Sequence, residues 1–255
     1  MAFNRREKHV QCGLSSGANT VQHPMTIDFL DNFPSKPGDQ RIWSNLKGSG
    51  QAWALAQSAR HHKGLILVIT PDTQSALQLE LEIPFYADKN LELLTFPDWE
   101  TLPYDSFSPH QDIISQRLAT LNRLPTLTQG ILIVPVSTLM HRIAPPSFLA
   151  SQTLLLDIGQ KFELHLVRKQ LEQAGYRAVD TVLDHGEYAV RGAIMDLFPM
   201  GSQVPYRIEL FDDEIDTLRS FDPETQRSID KVEQVRLLPA KEFPLHDQAI
   251  SGFKE

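Results

Sequence analysis

The chain has 255 residues, of which 41% are hydrophobic and 22% charged, with a formal net charge of −8. That length is enough for one large or two ordinary domains, and the acidic balance speaks against a chain-wide nucleic-acid surface while leaving room for a local basic patch. The single cysteine, Cys12, excludes an internal disulfide and any cysteine-built metal cluster, so a reducing cytoplasm is the expected compartment.

Residues 1–24 are polar, rich in Gly and Ser, and lack the apolar core of a signal peptide; they are expected to form a disordered tail, with Met25 as the natural start of the patterned sequence. Pro34–Arg41 reads as a loop around the Pro37-Gly38 turn signal and Ile42–Leu46 as a short strand. Gly48-Ser49-Gly50 then leads into a helix over Gln51–His61. Leu65–Thr70 is a continuous apolar, β-branched run and predicts a buried parallel strand. A helix follows over Thr73–Ile83, with Ala76, Leu77, Leu79, Leu81 and Ile83 as its apolar face, and then a strand over Leu91–Phe96.

The proline-broken, aromatic and acidic stretch that follows predicts a structured loop pinned by Trp99, Tyr104 and Phe107. Asp112–Leu124 has helical spacing at Ile113, Ile114, Leu118, Leu121 and Leu124. Gly130–Val136 is a further buried strand, and Ser137–Arg142 a short helix ended by Pro145-Pro146. Strands alternating with helices across 42–150 imply βαβ units and a parallel sheet, hence an α/β domain over 25–152.

The pattern changes near residue 152. Thr153–Ile158 reads as a strand and Phe162–Ala174 as a helix closed by Gly175, and from there to Leu238 only strands appear. This predicts a small α+β domain with an antiparallel sheet over 153–238. Lys241–Glu255 is polar and too short for a domain, so residues 239–255 are expected to be a truncated return to something larger, and no apolar run in the chain approaches the roughly 20 residues a membrane helix needs.

Within the strand-rich part, Gly186–Glu214 carries the clearest period of two. Glu187–Arg191 and Tyr206–Phe211 alternate, and the nearly all-apolar Ala193–Pro199 lies between them around one carboxylate, Asp196. Alternation puts Tyr206, Ile208 and Leu210 on one face and Arg207, Glu209 and Phe211 on the other. It likewise separates Tyr188 and Val190 from Glu187, Ala189 and Arg191. A face bearing Arg191, Arg207 and Phe211 has the residue types of an interface hot spot, although spacing alone favours a solvated face with one stray Phe.

Other candidate chemistry is thin. A phosphate loop needs G-x-x-x-x-G-K-[ST], so that backbone N–H groups cradle phosphate, the lysine reaches it and the hydroxyl holds magnesium. The corresponding eight residues here run from Asn45 to Ala52, NLKGSGQA: Gly50 keeps its place, Asn45 replaces the first glycine, Gln51 the lysine and Ala52 the hydroxyl, while Gly48 lies between. No ATP and no other cofactor is expected there. Asp212-Asp213-Glu214 follows an alternating strand and reads as a turn rather than a magnesium-holding carboxylate. The nine histidines show no metal-ligand spacing, and Ser106, Ser108, His110 and Asp112 share a stretch without the signature of a nucleophile elbow. Trp99, Tyr104 and Phe107 could stack bases, but Asp98, Glu100 and Asp105 beside them repel phosphates.

The runs DWETLPYDSFSPHQDIISQRL, HGEYAVRGAIMDLFPMGSQVPYRIELFDDEID and FDPETQRS closely resemble the N-terminal region of the bacterial transcription-repair coupling factors, the Mfd family, from about Gly38 to about Pro244. That region is similar in turn to the excision repair protein UvrB. The resemblance implies a degenerate RecA-like domain that has lost its nucleotide site, followed by the small module through which UvrB and Mfd bind UvrA. It places the UvrA contacts on Arg191, Arg207 and Phe211, with Glu187, Glu209 and Asp213 as weaker candidates. It also implies that RNA polymerase and DNA are bound through regions outside this chain, and that another domain of the full-length family masks the UvrA face. On that basis the chain is a truncated product, an isolated fragment or a designed piece, with the face open.

The expected function is a non-catalytic, UvrA-recruiting module in transcription-coupled nucleotide excision repair. The alternatives are part of an ATP-dependent DNA translocase whose motor lies elsewhere, or a direct DNA-binding module. Alanine at Arg191, Arg207 or Phe211 is expected to cost about 1–3 kcal/mol of docking energy and leave the fold intact.

Overall fold

The computed structural model describes residues 33–34, 36–102, 105–244 and 251. The expected tail over 1–24, the start at Met25, Tyr104 and most of the return segment therefore lie outside the described residues.

The first half runs α1 (Gly50–His61), β1 (Leu65–Thr70), α2 (Thr73–Tyr86), β2 (Leu93–Thr95), α3 (Gln111–Arg123), β3 (Gly130–Pro135), α4 (Val136–Leu139) and α5 (Pro146–Gln152). The three strands form a parallel sheet in the order β1-β3-β2, and every residue of the central β3 is buried. One face of this sheet packs on α1 and α2 through Ala52, Ala59, Ala76, Leu79, Ile83, Ile131 and Ile133. On the other face Leu132 and Val134 enter the main core.

Several sequence expectations fail in this half. Ile42–Leu46 forms no strand. β1 is an edge strand among the described residues, and Leu67 and Ile69, in register with Leu132 and Val134, stay half exposed where a doubly covered strand was expected. In α2, Leu77 and Leu81 point away from the core that Ala76, Leu79 and Ile83 reach.

The second half runs β4 (Leu154–Asp157), α6 (Leu164–Gln173), β5 (Arg177–Ala178), β6 (Glu187–Arg191), β7 (Ile194–Leu197), β8 (Tyr206–Phe211), β9 (Glu214–Phe221), β10 (Ser228–Val232) and β11 (Gln234–Leu237). α6 stops because Gly175 adopts φ 94°, where its N–H bonds Glu172 O at 3.1 Å and the Tyr176 N–H bonds Leu171 O at 2.8 Å. These two bonds satisfy carbonyls that a helix end leaves bare. β4 pairs antiparallel with β11, and β5 to β10 form a six-stranded sheet.

One apolar core crosses residue 152. It joins Phe96, Leu118 and Leu132 to Leu156, Leu171, Tyr188, Met195, Ile208, Leu218 and Val235. Two polar ties reinforce it: Ser115 Oγ accepts the Gly201 N–H at 2.8 Å, and His185 bridges Asp112 of α3 and the Ser202 carbonyl at 2.7 and 2.8 Å.

After β11 the chain returns to the first half. The carboxylate of Glu242 is buried against the fully buried Arg117 of α3, which donates from Nε and Nη2 at 2.9 and 2.7 Å. Trp99 Nε1 also donates to Glu242, at 2.9 Å, and Trp99 stacks on His141 with ring centres 4.3 Å apart. The aromatic loop is thus held through Trp99, whereas Phe107 is exposed. No helix among the described residues is long and apolar enough to cross a membrane.

Candidate functional site

The six-stranded sheet has the order β10-β9-β8-β7-β6-β5 and is antiparallel except at β5–β6. β6 and β7 are joined by Gly192-Ala193 with Gly192 at φ 61°, and β8 and β9 by Asp212-Asp213 with Asp212 at φ 54°; both turns use the left-handed region, where glycine and aspartate are the least penalised. The acidic run is therefore a turn, as its alternating strand implied. The register aligns Ala189, Asp196, Arg207 and Arg219 as successive cross-strand partners. Their side chains share the face opposite the main core, because alternation sends Tyr188, Met195, Ile208 and Leu218 inward.

Asp196 organises this face. It is 0% exposed, and Arg207 grips it as a fork, with Nε donating to Oδ1 at 2.7 Å and Nη2 to Oδ2 at 2.9 Å. Arg191 Nη2 donates to the same Oδ2. The hydrogen bonds to Asp196 raise the pKa of Arg207 further, against the effect of its burial. Arg207 also donates to the Gln226 carbonyl at 3.3 Å and lies 5.1 Å from the centre of the Phe221 ring, leaving 18% of its side chain exposed. Arg191 is freer, at 50%. Phe211, at the end of β8, is 74% exposed.

The face is therefore two halves. At one end of the strands, residues 179–186 fold over it, and Val182, Ala189, Phe198 and Phe221 make a further small apolar core with Val179 against it. Glu187 lies under this cover. Its carboxylate accepts the Leu183 and Asp184 N–H groups at 2.9 Å each, and a bond from Arg177. Burial alone would raise its pKa, but these donors hold it below the usual carboxylate value. Glu187 is thus occupied and buried, a departure from its expected place beside the exposed contacts.

The open half carries Arg191, Glu209 and Phe211. Glu209 accepts from Thr217 Oγ1 at 2.8 Å. Asp213 is exposed in the turn, 3.9 Å from Lys161, and its carbonyl takes the Phe162 N–H at 2.7 Å. The structure thus joins Arg191 and Arg207 through Asp196 and puts Glu209 and Phe211 on the same face further along β8, with Asp213 in the turn beyond. Asp196 was missed as a site residue; the sequence signal was a lone carboxylate in an apolar strand between two arginine-bearing ones.

The loop over 45–52 has a different character. Asn45 and Gly48 adopt φ 62° and 54°, and Gly50 opens α1 without a preceding strand among the described residues to aim the loop. Ser49 is tied to Tyr86 at 2.6 Å, Gln51 is exposed, and Ala52 is fully buried in the core beneath α1. His110 and Asp112 do structural work as well: His110 caps α3, and Asp112 holds His185.

Residues 154–243 match the family described as the UvrB interaction domain. The chain is 52% identical over 230 residues to a transcription-repair-coupling factor of Escherichia coli and 48% identical over 229 residues to one of Haemophilus influenzae, in each case over 90% of this chain and 20% of that protein. It is 31% identical over 212 residues to one of Staphylococcus aureus, covering 83% of this chain and 18% of that protein. The chain spans about a fifth of the length of these curated relatives.

Proposed function

We propose that this chain, a relative of the transcription-repair-coupling factors with a UvrB interaction domain over residues 154–243, is the part of such a factor that recruits UvrA for transcription-coupled nucleotide excision repair. The observation that carries the proposal is Phe211, 74% exposed at the end of β8, on the sheet face that also bears a paired cluster of two arginines and a buried carboxylate. A large ring held in water on a face with oriented guanidinium groups is the composition of an interface anchor.

The residues divide the work. Phe211 enters an apolar pocket on UvrA. Arg191, half exposed, offers charge-assisted hydrogen bonds to a partner carboxylate. Arg207 acts mainly by holding Asp196, and through it Arg191, in place. The module is non-catalytic and uses no ATP: Ala52 has become core, Gln51 carries no charge, and no strand precedes the loop among the described residues. Contacts to RNA polymerase and DNA belong to the rest of the longer relatives.

The test is capture of purified UvrA by the chain and by its Phe211→Ala and Arg191→Ala variants. Binding by the unaltered chain with a loss of tenfold or more in each variant, about 1.4 kcal/mol or more, is expected. Equal capture by all three would sink the assignment.

A further inference from the structure

The cross-strand row that begins at Asp196 continues past Arg207. In β9 the residue opposite Arg207 is Arg219, and in β10 the residue opposite Arg219 is Lys231. Three cations therefore stand side by side on three neighbouring strands, with side chains in adjacent cross-strand positions about 5 Å apart. Like charges directly opposite one another are unfavourable unless something compensates them. The face offers little compensation. Asp196 is taken up by Arg207 and Arg191, and Glu209, diagonal to Arg219, accepts from Thr217. No carboxylate lies within 4.0 Å of the Arg219 guanidinium among the described residues. Its Nε is buried and has no hydrogen-bond partner among them.

A buried guanidinium N–H without an acceptor is costly. The neighbouring Arg207 shows what would satisfy it: a carboxylate oxygen facing the Nε edge of the fork. Arg219 as a whole is only half-buried, so an oxygen from outside the sheet meets the accessible remainder of its side chain while Nε stays enclosed, and what calls for such an oxygen is the uncompensated Arg207–Arg219–Lys231 row. Lys231, on the exposed edge strand, also has the ordinary role of discouraging strand-to-strand association. That role does not extend to Arg219, which sits in the interior strand β9.

We propose that Arg219, with Lys231 beside it, is a second docking point on this face and receives an Asp or Glu side chain of the protein partner. The inference rests on the UvrA-docking reading and extends its footprint from the Phe211 end of β8 across to β10. A protein carboxylate is favoured over a nucleic-acid phosphate by the surroundings. Asp212, Asp213 and Glu214 crowd the β8–β9 turn, and Glu209 lies within the row's reach, so a polyanionic backbone crossing the face meets repulsion where a single carboxylate does not.

The test compares UvrA binding by the unaltered chain with that by Arg219→Gln, Arg219→Lys, Lys231→Ala and Phe211→Ala, with thermal melting of each as a folding control. Expected are a loss of roughly tenfold for Arg219→Gln, a smaller loss for Arg219→Lys, which keeps charge without the fork, and a loss of a few fold for Lys231→Ala. If Arg219→Gln does not fold, the exposed Lys231→Ala variant decides the matter. Wild-type binding by the Arg219 and Lys231 variants with loss in Phe211→Ala overturns this inference and leaves the docking reading standing. Wild-type binding by Phe211→Ala as well removes the docking reading itself. A labelled DNA duplex is titrated in parallel. If Arg219→Gln weakens duplex binding and leaves UvrA binding unchanged, the row reads phosphate and the proposal is wrong.

Discussion

Arg207 grips Asp196 from the neighbouring strand with two hydrogen bonds of 2.7 and 2.9 Å, and Asp196 has no exposed surface. The arginine named for docking is thus also the main neutralising partner of a carboxylate inside the sheet. Its two roles separate experimentally, because stability and binding respond differently to each residue of the face.

Arg207→Ala leaves Asp196 with Arg191 as its remaining charge partner, and breaking a buried pair by removing one side costs about 3 kcal/mol or more. A large drop in the urea midpoint is expected, contrary to the sequence-based expectation of an intact fold. Phe211→Ala removes an exposed ring and is expected to change stability by less than about 0.5 kcal/mol. Equal midpoints for the two variants would show that the Asp196 fork carries no structural weight. UvrA capture by Arg207→Ala is therefore interpretable only beside its unfolding curve.

The same reasoning applies to the clasp between the two halves. Glu242→Ala strands Arg117, which is completely buried between Phe96, Trp99 and the Pro97 carbonyl, and should cost about 3–5 kcal/mol. Replacing both members, Arg117→Met with Glu242→Leu, should recover most of that loss, since it removes the unpaired charge along with its partner. Denaturant unfolding of the single and double variants measures it. A double variant as unstable as the single one would locate the cost in lost packing.

Glu187 gives the stability a pH dependence. Burial opposes its charge, but the Leu183 and Asp184 N–H groups and Arg177 outweigh it and lower the folded pKa below the ordinary 4.5. A depressed carboxylate contributes stability that is complete above the unfolded value and is lost as pH falls through the folded one. Unfolding free energy should therefore drop on acidification below about pH 4.5, and Glu187→Gln should flatten that slope while lowering stability at neutral pH. An unchanged slope would mean that other carboxylates dominate the acid limb. The 179–186 cover should loosen first, visible as faster amide exchange at Leu183 and Asp184.

How much of this could be read beforehand follows from the range of the interactions involved. The alternation in Glu187–Arg191 and Tyr206–Phe211 is local, and the strands fell where it placed them. The Gly175 stop is equally local. Sheet order is not: nothing near Leu67 or Ile69 tells that β1 is an edge among the described residues and that one of its faces stays uncovered by them. The cover of Glu187 by residues 179–186 is irregular chain carrying a further small core, and it has no period to detect. Asp196 stood out in its apolar strand, but its role needs the cross-strand register that brings Arg207 opposite it.

The loop before α1 offers the sharpest separation between residue type and geometry. Gln51→Lys with Ala52→Thr restores the lysine and hydroxyl of a phosphate loop, yet is expected to leave ATP binding undetected at micromolar nucleotide. Ala52 is 0% exposed in the core that α1 shares with α2 and β3, so the hydroxyl and extra methyl of threonine enter packed apolar space rather than a magnesium site. Overpacking of this kind costs about 1–3 kcal/mol, and the variant should melt lower than the unaltered chain. Among the described residues no strand precedes Gly48 to point its backbone N–H groups at a ligand, and Ser49 is already bonded to Tyr86. Calorimetric titration with ATP and magnesium, alongside a thermal melt, decides the matter: tight binding by the variant, or by the unaltered chain, would mean that the site survives and that the buried position of Ala52 does not describe the binding-competent loop.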